Sequence, residues 1–75
     1  MKTDRILDCT GLFCPMPIIK TKVLLDTMKS GQVLEIDSDD PGFEKDLAAW
    51  CKMTGEKFVG IEKDGSILKG YVIKK

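Results

Sequence analysis

The sequence predicts an α+β two-layer sandwich: a mixed four-stranded sheet with two helices on one face, in the order βαβαββ. Three observations lead there. Helical stretches at about 15–29 and 41–54 alternate with short strand-like runs. The first two strands flank a helix, and short βαβ units favour parallel strands joined by a right-handed crossover. The chain closes with two strands joined at Asp64-Gly65, a strong hairpin signal, so that pair is antiparallel. At 75 residues the chain holds one domain, 1–75, with a thin core.

Each element has its own grounds. Arg5-Ile6-Leu7-Asp8-Cys9 is short and alternates, as a strand does. Thr10-Gly11-Leu12-Phe13 follows as a loop in which Gly11 is free to take positive φ. The first helix is expected from 15 to 28 or 29, with Gly31 as a left-handed C-terminal cap. Its main apolar face is Ile18, Thr21, Leu24, Leu25 and Met28. Val33-Leu34-Glu35-Ile36-Asp37 is the second strand. Asp40 then serves as N-cap and Pro41 as first residue of the second helix. That helix runs to about Thr54, buries Phe43, Leu47, Trp50 and Thr54, and stops at Gly55. Strands over 57–62 and 66–74 complete the sheet.

Composition removes several function classes. Lysine plus arginine and aspartate plus glutamate stand at 12 each, which argues against direct binding of nucleic acid. No apolar run approaches the ~20 residues of a membrane span, so no membrane insertion is expected. The first residues lack the apolar stretch of a signal peptide, and the expected location is the cytoplasm. Three cysteines at uneven spacing make a poor disulfide framework. With no histidine and no Cys-x-x-Cys, a metal site is not expected. The missing histidine also removes the usual base for a nucleophilic cysteine.

Cys14 stands out within Cys14-Pro15-Met16-Pro17. Prolines at the first and third helical positions cost nothing, because first-turn N–H groups lack intrahelical partners. Cys14 then falls at the N-cap, beside the positive end of the helix dipole, which favours a thiolate. Only Met16 among the next residues keeps an amide to offer the sulfur, so moderate activation is expected. Lys20 and Lys22 add positive potential if they face the same side. The competing reading makes Cys14 an ordinary small residue at a helix start.

Leu7-Asp8-Cys9-Thr10-Gly11-Leu12-Phe13-Cys14-Pro15-Met16-Pro17-Ile18-Ile19 resembles the motif of the TusA/SirA/YeeD family of small sulfur carriers. The resemblance continues through Ser30-Gly31, Asp39-Asp40-Pro41 and Trp50-Cys51. It implies the same sandwich fold. It also implies that Cys14 accepts sulfane sulfur as a covalent persulfide, with no other cofactor, and passes it to another protein. The implied donors are a cysteine desulfurase or a rhodanese-like sulfurtransferase. The family serves transfer-RNA thiolation, sulfur and thiosulfate metabolism and cofactor supply, and docking to a membrane transporter is among the partnerships left open. Family members often carry a small residue such as alanine where Cys9 stands.

Cys9, on the same strand face as Leu7, and Cys51, beside Trp50, read first as packing residues. Their alternative is a secondary thiol that pairs with Cys14, which would make the chain a thiol-disulfide redox protein. A non-catalytic interaction module is the third reading. Met16, Ile19 and Val23 form a second apolar stripe next to Cys14. With Lys20 they are candidates for partner docking, or else they fill the flank of the helix.

Overall fold

A computed structural model describes residues 2–75. The order is β1 (Arg5–Asp8), α1 (Met16–Leu25), β2 (Val33–Ser38), α2 (Phe43–Thr54), β3 (Lys57–Asp64) and β4 (Ile67–Ile73). The sheet order is β1-β2-β4-β3. β1 runs parallel to β2, with Asp8 opposite Asp37, and β4 is antiparallel to both β2 and β3. The expected class and strand directions are therefore the observed ones.

Alternation along β2 sets the two layers. Leu34 and Ile36 are buried, while Val33, Glu35 and Asp37 point to the other side. The buried set joins Val72 of β4, Leu25 of α1, and Phe43, Leu47 and Cys51 of α2 in one core that also takes in Cys9 and Met28. Both helices thus cover the same sheet face. The uncovered face is mixed: Ile6 is exposed beside Glu35, Val33 lies opposite Ile73, and the Tyr71 hydroxyl donates to Glu62 Oε2 at 3.2 Å. Burial and the neighbouring Glu35 push the Asp37 carboxyl up to about 6.

Both helices depart from the expected boundaries. α1 ends at Leu25 because Thr27 N–H and its hydroxyl both donate to the Leu24 carbonyl, turning the chain away early. Gly31 does take positive φ, but its N–H donates to the Lys74 carbonyl and secures the loop to the end of β4. At α2 the N-cap is Gly42, not Asp40. The Asp40 carboxylate accepts the Gly42 N–H at 3.1 Å, so Asp40 and Pro41 form a turn ahead of the helix. Gly55 closes α2 in the left-handed conformation, as expected. Cys51 takes the fully buried place assigned to Trp50, and Trp50 and Thr54 are only half-buried. β3 carries a bulge between Phe58 and Gly60 that the sequence did not announce.

At Gly70 α2 lies close against the sheet. A Cβ there would meet Leu47 Cδ2 at 2.7 Å and Phe43 Cε2 at 3.0 Å. Gly70→Ala is expected to destabilise the fold by about 1–3 kcal/mol through overpacking, read as a lower denaturant midpoint.

Candidate functional site

Because β1 and β2 are parallel, their C-terminal ends lie at one edge of the sheet. The loops that follow them therefore meet. Thr10 donates through its N–H and hydroxyl to Asp8 Oδ1, a turn that directs the chain off β1. Gly11, at φ 81°, reverses it. The Gly11 N–H donates to Asp39 Oδ1 at 3.0 Å and the Cys14 N–H to Asp40 Oδ2 at 3.3 Å. The β2–α2 loop thus grips the cysteine loop by its amides.

Cys14 is not the N-cap of α1. Pro15 takes that place, and its carbonyl accepts the Ile18 and Ile19 N–H groups at 3.1 and 3.0 Å. The Cys14–Pro15 peptide bond is cis. Pro17 is the second helical residue and is buried. The Met16 N–H, expected to serve the sulfur, donates instead to the Phe13 carbonyl at 2.9 Å. The first turn therefore offers the thiol no amide, and Cys14 lies one residue farther from the dipole than the sequence implied.

The charges near Cys14 also reverse the expectation. Its thiol is pushed above the ordinary value of 9.0, chiefly by a hydrogen bond to the Asp46 carboxylate, then by desolvation and the charges of Asp46 and Asp40. A carboxylate that accepts a thiol proton favours the neutral form. Lys22 is held by Asp26 at 2.8 Å, and the charge of Lys20 acts on Cys9 rather than on Cys14. The expected moderate lowering is therefore corrected to a raising.

Cys9 and Cys51 are buried, and only Cys14 is an exposed thiol. Burial raises both buried thiols, Cys51 to about 11. A disulfide from Cys14 to either would begin with one sulfur inside the core. Met16, Ile19 and Val23 are exposed and do not fill the flank of the helix. With Leu7, Lys20 and Leu24 they line an open groove of about 460 Å³ beside β1. Phe13, next to Cys14, is 73% exposed, a feature that its place in a loop does not reveal from sequence. The sequence carries no signal for Asp46, since nothing local links it to a residue 32 positions earlier. Asp39 and Asp40 stood within the family resemblance, which was their one signal. Among the described residues no group of three His, Cys, Asp or Glu side chains is placed to hold a metal, and no helix is long and apolar enough to cross a membrane.

The family model described as Sulfurtransferase TusA matches residues 5–75, with the Cys14 loop inside the match. The chain belongs to the TusA family. It is 47% identical over 74 residues to the putative sulfur carrier protein YrkF of Bacillus subtilis, covering 99% of this chain and 40% of that longer protein. It is 42% identical to the sulfur carrier protein TusA of Allochromatium vinosum, covering 96% of this chain and 93% of the relative. A SirA-like protein from Desulfitobacterium hafniense superposes with a TM-score of 0.80 at 23% identity over 92% of this chain and 95% of its own, a likeness of fold.

Alkylation of the native TusA-family chain is expected to modify Cys14 alone, giving one adduct by intact mass, and three after unfolding. The Cys14 rate should keep climbing as pH passes 9.0, since its ionisation is shifted upward from that ordinary value. A plateau below that pH would contradict the acidic surroundings.

Proposed function

We propose that this chain carries sulfane sulfur as a persulfide on Cys14 and relays it between two proteins. The observation that carries the reading is the single exposed thiol, on the loop that opens α1 in a TusA-family fold. The chemistry is exchange at divalent sulfur. The Cys14 thiolate attacks the terminal sulfur of a donor persulfide, the donor's S–S bond breaks, and the donor leaves as a thiolate. An acceptor thiolate then attacks the terminal sulfur on Cys14, which departs in turn. No electrons are gained or lost overall.

The donor is a cysteine desulfurase or a rhodanese-like sulfurtransferase, and the acceptor is a protein thiol in sulfur metabolism, transfer-RNA thiolation or cofactor supply. The site of action is the cytoplasm. The exposed Met16, Ile19 and Val23, with Lys20, supply the docking surface, since an apolar groove beside a reactive group is where a partner gains most from burial.

Incubation with a cysteine desulfurase and cysteine, or with a rhodanese-like sulfurtransferase and thiosulfate, should add the mass of one sulfur atom. The gain should vanish on reduction and be absent from Cys14→Ser. Loss of two hydrogens without sulfur gain would instead indicate redox chemistry. Ile19→Glu and Val23→Glu should slow loading about tenfold or more while leaving the denaturant midpoint nearly unchanged, because both side chains are exposed. Unfolding of these variants would assign the stripe to packing.

A further inference from the structure

Cys14 lies between two unlike surfaces. On one side is the apolar groove between α1 and β1, with Met16 at its near end. On the other are carboxylates: Asp39 and Asp40 hold the Gly11 and Cys14 amides, and Asp46 lies beside Asp40, its Oδ2 3.9 Å and the Asp40 Oδ1 3.7 Å from where a Gly42 Cβ would stand. The ion pairs among the described residues are Lys22–Asp26, Lys69–Asp64 and Lys74–Glu56, none of which reaches these three carboxylates. This corner is acidic: Lys63 shares a cleft with Asp39, but no ion pair among the described residues neutralises Asp40 or Asp46.

Loading needs the opposite condition. A sulfur that attacks a donor persulfide must shed its proton beside Asp40 and Asp46, where a second negative charge is disfavoured. A cation brought to the same corner would pair with the carboxylates and offset the new charge. Among the described residues no ion pair supplies one to Asp40 or Asp46. We propose that the sulfur donor docks across Cys14 with an apolar strip in the α1–β1 groove and an arginine or lysine against Asp40 and Asp46, and that this cation completes the site for attack by the Cys14 sulfur. The proton passes to water as the cation seats, and the sulfur exchange then proceeds as above. The proposal rests on the persulfide reading for its purpose, but its electrostatic content can be measured without any sulfur donor.

The probes are two small disulfides of opposite charge, cystamine and dithiodipropionate. In each, the Cys14 thiolate attacks one sulfur, forms a mixed disulfide and releases the other half as a thiol. The cystamine-to-dithiodipropionate rate ratio for the native chain, divided by that for the urea-unfolded chain, should be about tenfold or more at low ionic strength. It should fall toward unity as salt screens the carboxylates, and likewise in Asp46→Asn. The wild-type salt dependence needs no variant, so it stands even if Asp46→Asn does not fold. With a desulfurase donor, Asp46→Asn should load more slowly although its free thiol alkylates faster. A normalised ratio near one in the native chain, or loading by the donor that rises in step with alkylation, would overturn the proposal. Failure of Cys14 to gain sulfur in wild type would sink the persulfide reading and leave the charge preference intact.

Discussion

Two hydrogen bonds between loops hold the site in shape. Asp39 takes the Gly11 amide and Asp40 the Cys14 amide, so the loop that bears the thiol is fastened to the loop that opens α2. This is possible only because β1 and β2 run parallel and in register, Asp8 opposite Asp37, which delivers both loops to one edge. An antiparallel arrangement would send them to opposite ends of the sheet. The core beneath keeps the strands in place, with Leu34, Ile36 and Val72 against Leu25, Phe43 and Leu47. Thr10, Gly11 and Pro15 then fix the path from β1 to α1.

The same fastening determines the chemistry. Carboxylates that hold backbone amides also bring negative charge close to the sulfur. The first turn of α1 cannot compensate, since Pro17 has no N–H and the Met16 amide is taken by Phe13. Cys14 is therefore exposed and accessible, yet its thiol is held above the ordinary value by the carboxylates beside it. A carrier has reason to be so arranged: a thiol that ionises freely reacts with whatever it meets. On the proposed reading, reactivity is conferred by the docked donor, and selectivity follows from having to supply both an apolar contact and a cation.

Much of this was written in the sequence, and the reasons are local. Alternation, helical periodicity, Asp64-Gly65 and Gly55 depend on neighbours a few residues apart, so the element order and strand directions followed from them. Cys14, Cys9 and Cys51 could be sorted by position, and the stripe of Met16, Ile19 and Val23 by its spacing. Helix ends were less legible. Thr27, Gly42 and Pro15 each settle a boundary through hydrogen bonds that compete with the expected cap.

What the sequence determined by itself was the βαβαββ sandwich, the family to which the chain belongs and the cysteine on which the proposed chemistry centres. The tertiary structure alone decided the electrostatic state of that cysteine. Asp40 and Asp46 lie 26 and 32 residues from Cys14, and charge acts through space rather than along the chain. A local reading placed the sulfur at a positive helix end. The folded chain places it at an acidic corner, because parallel strands carry the start of α2 to its side.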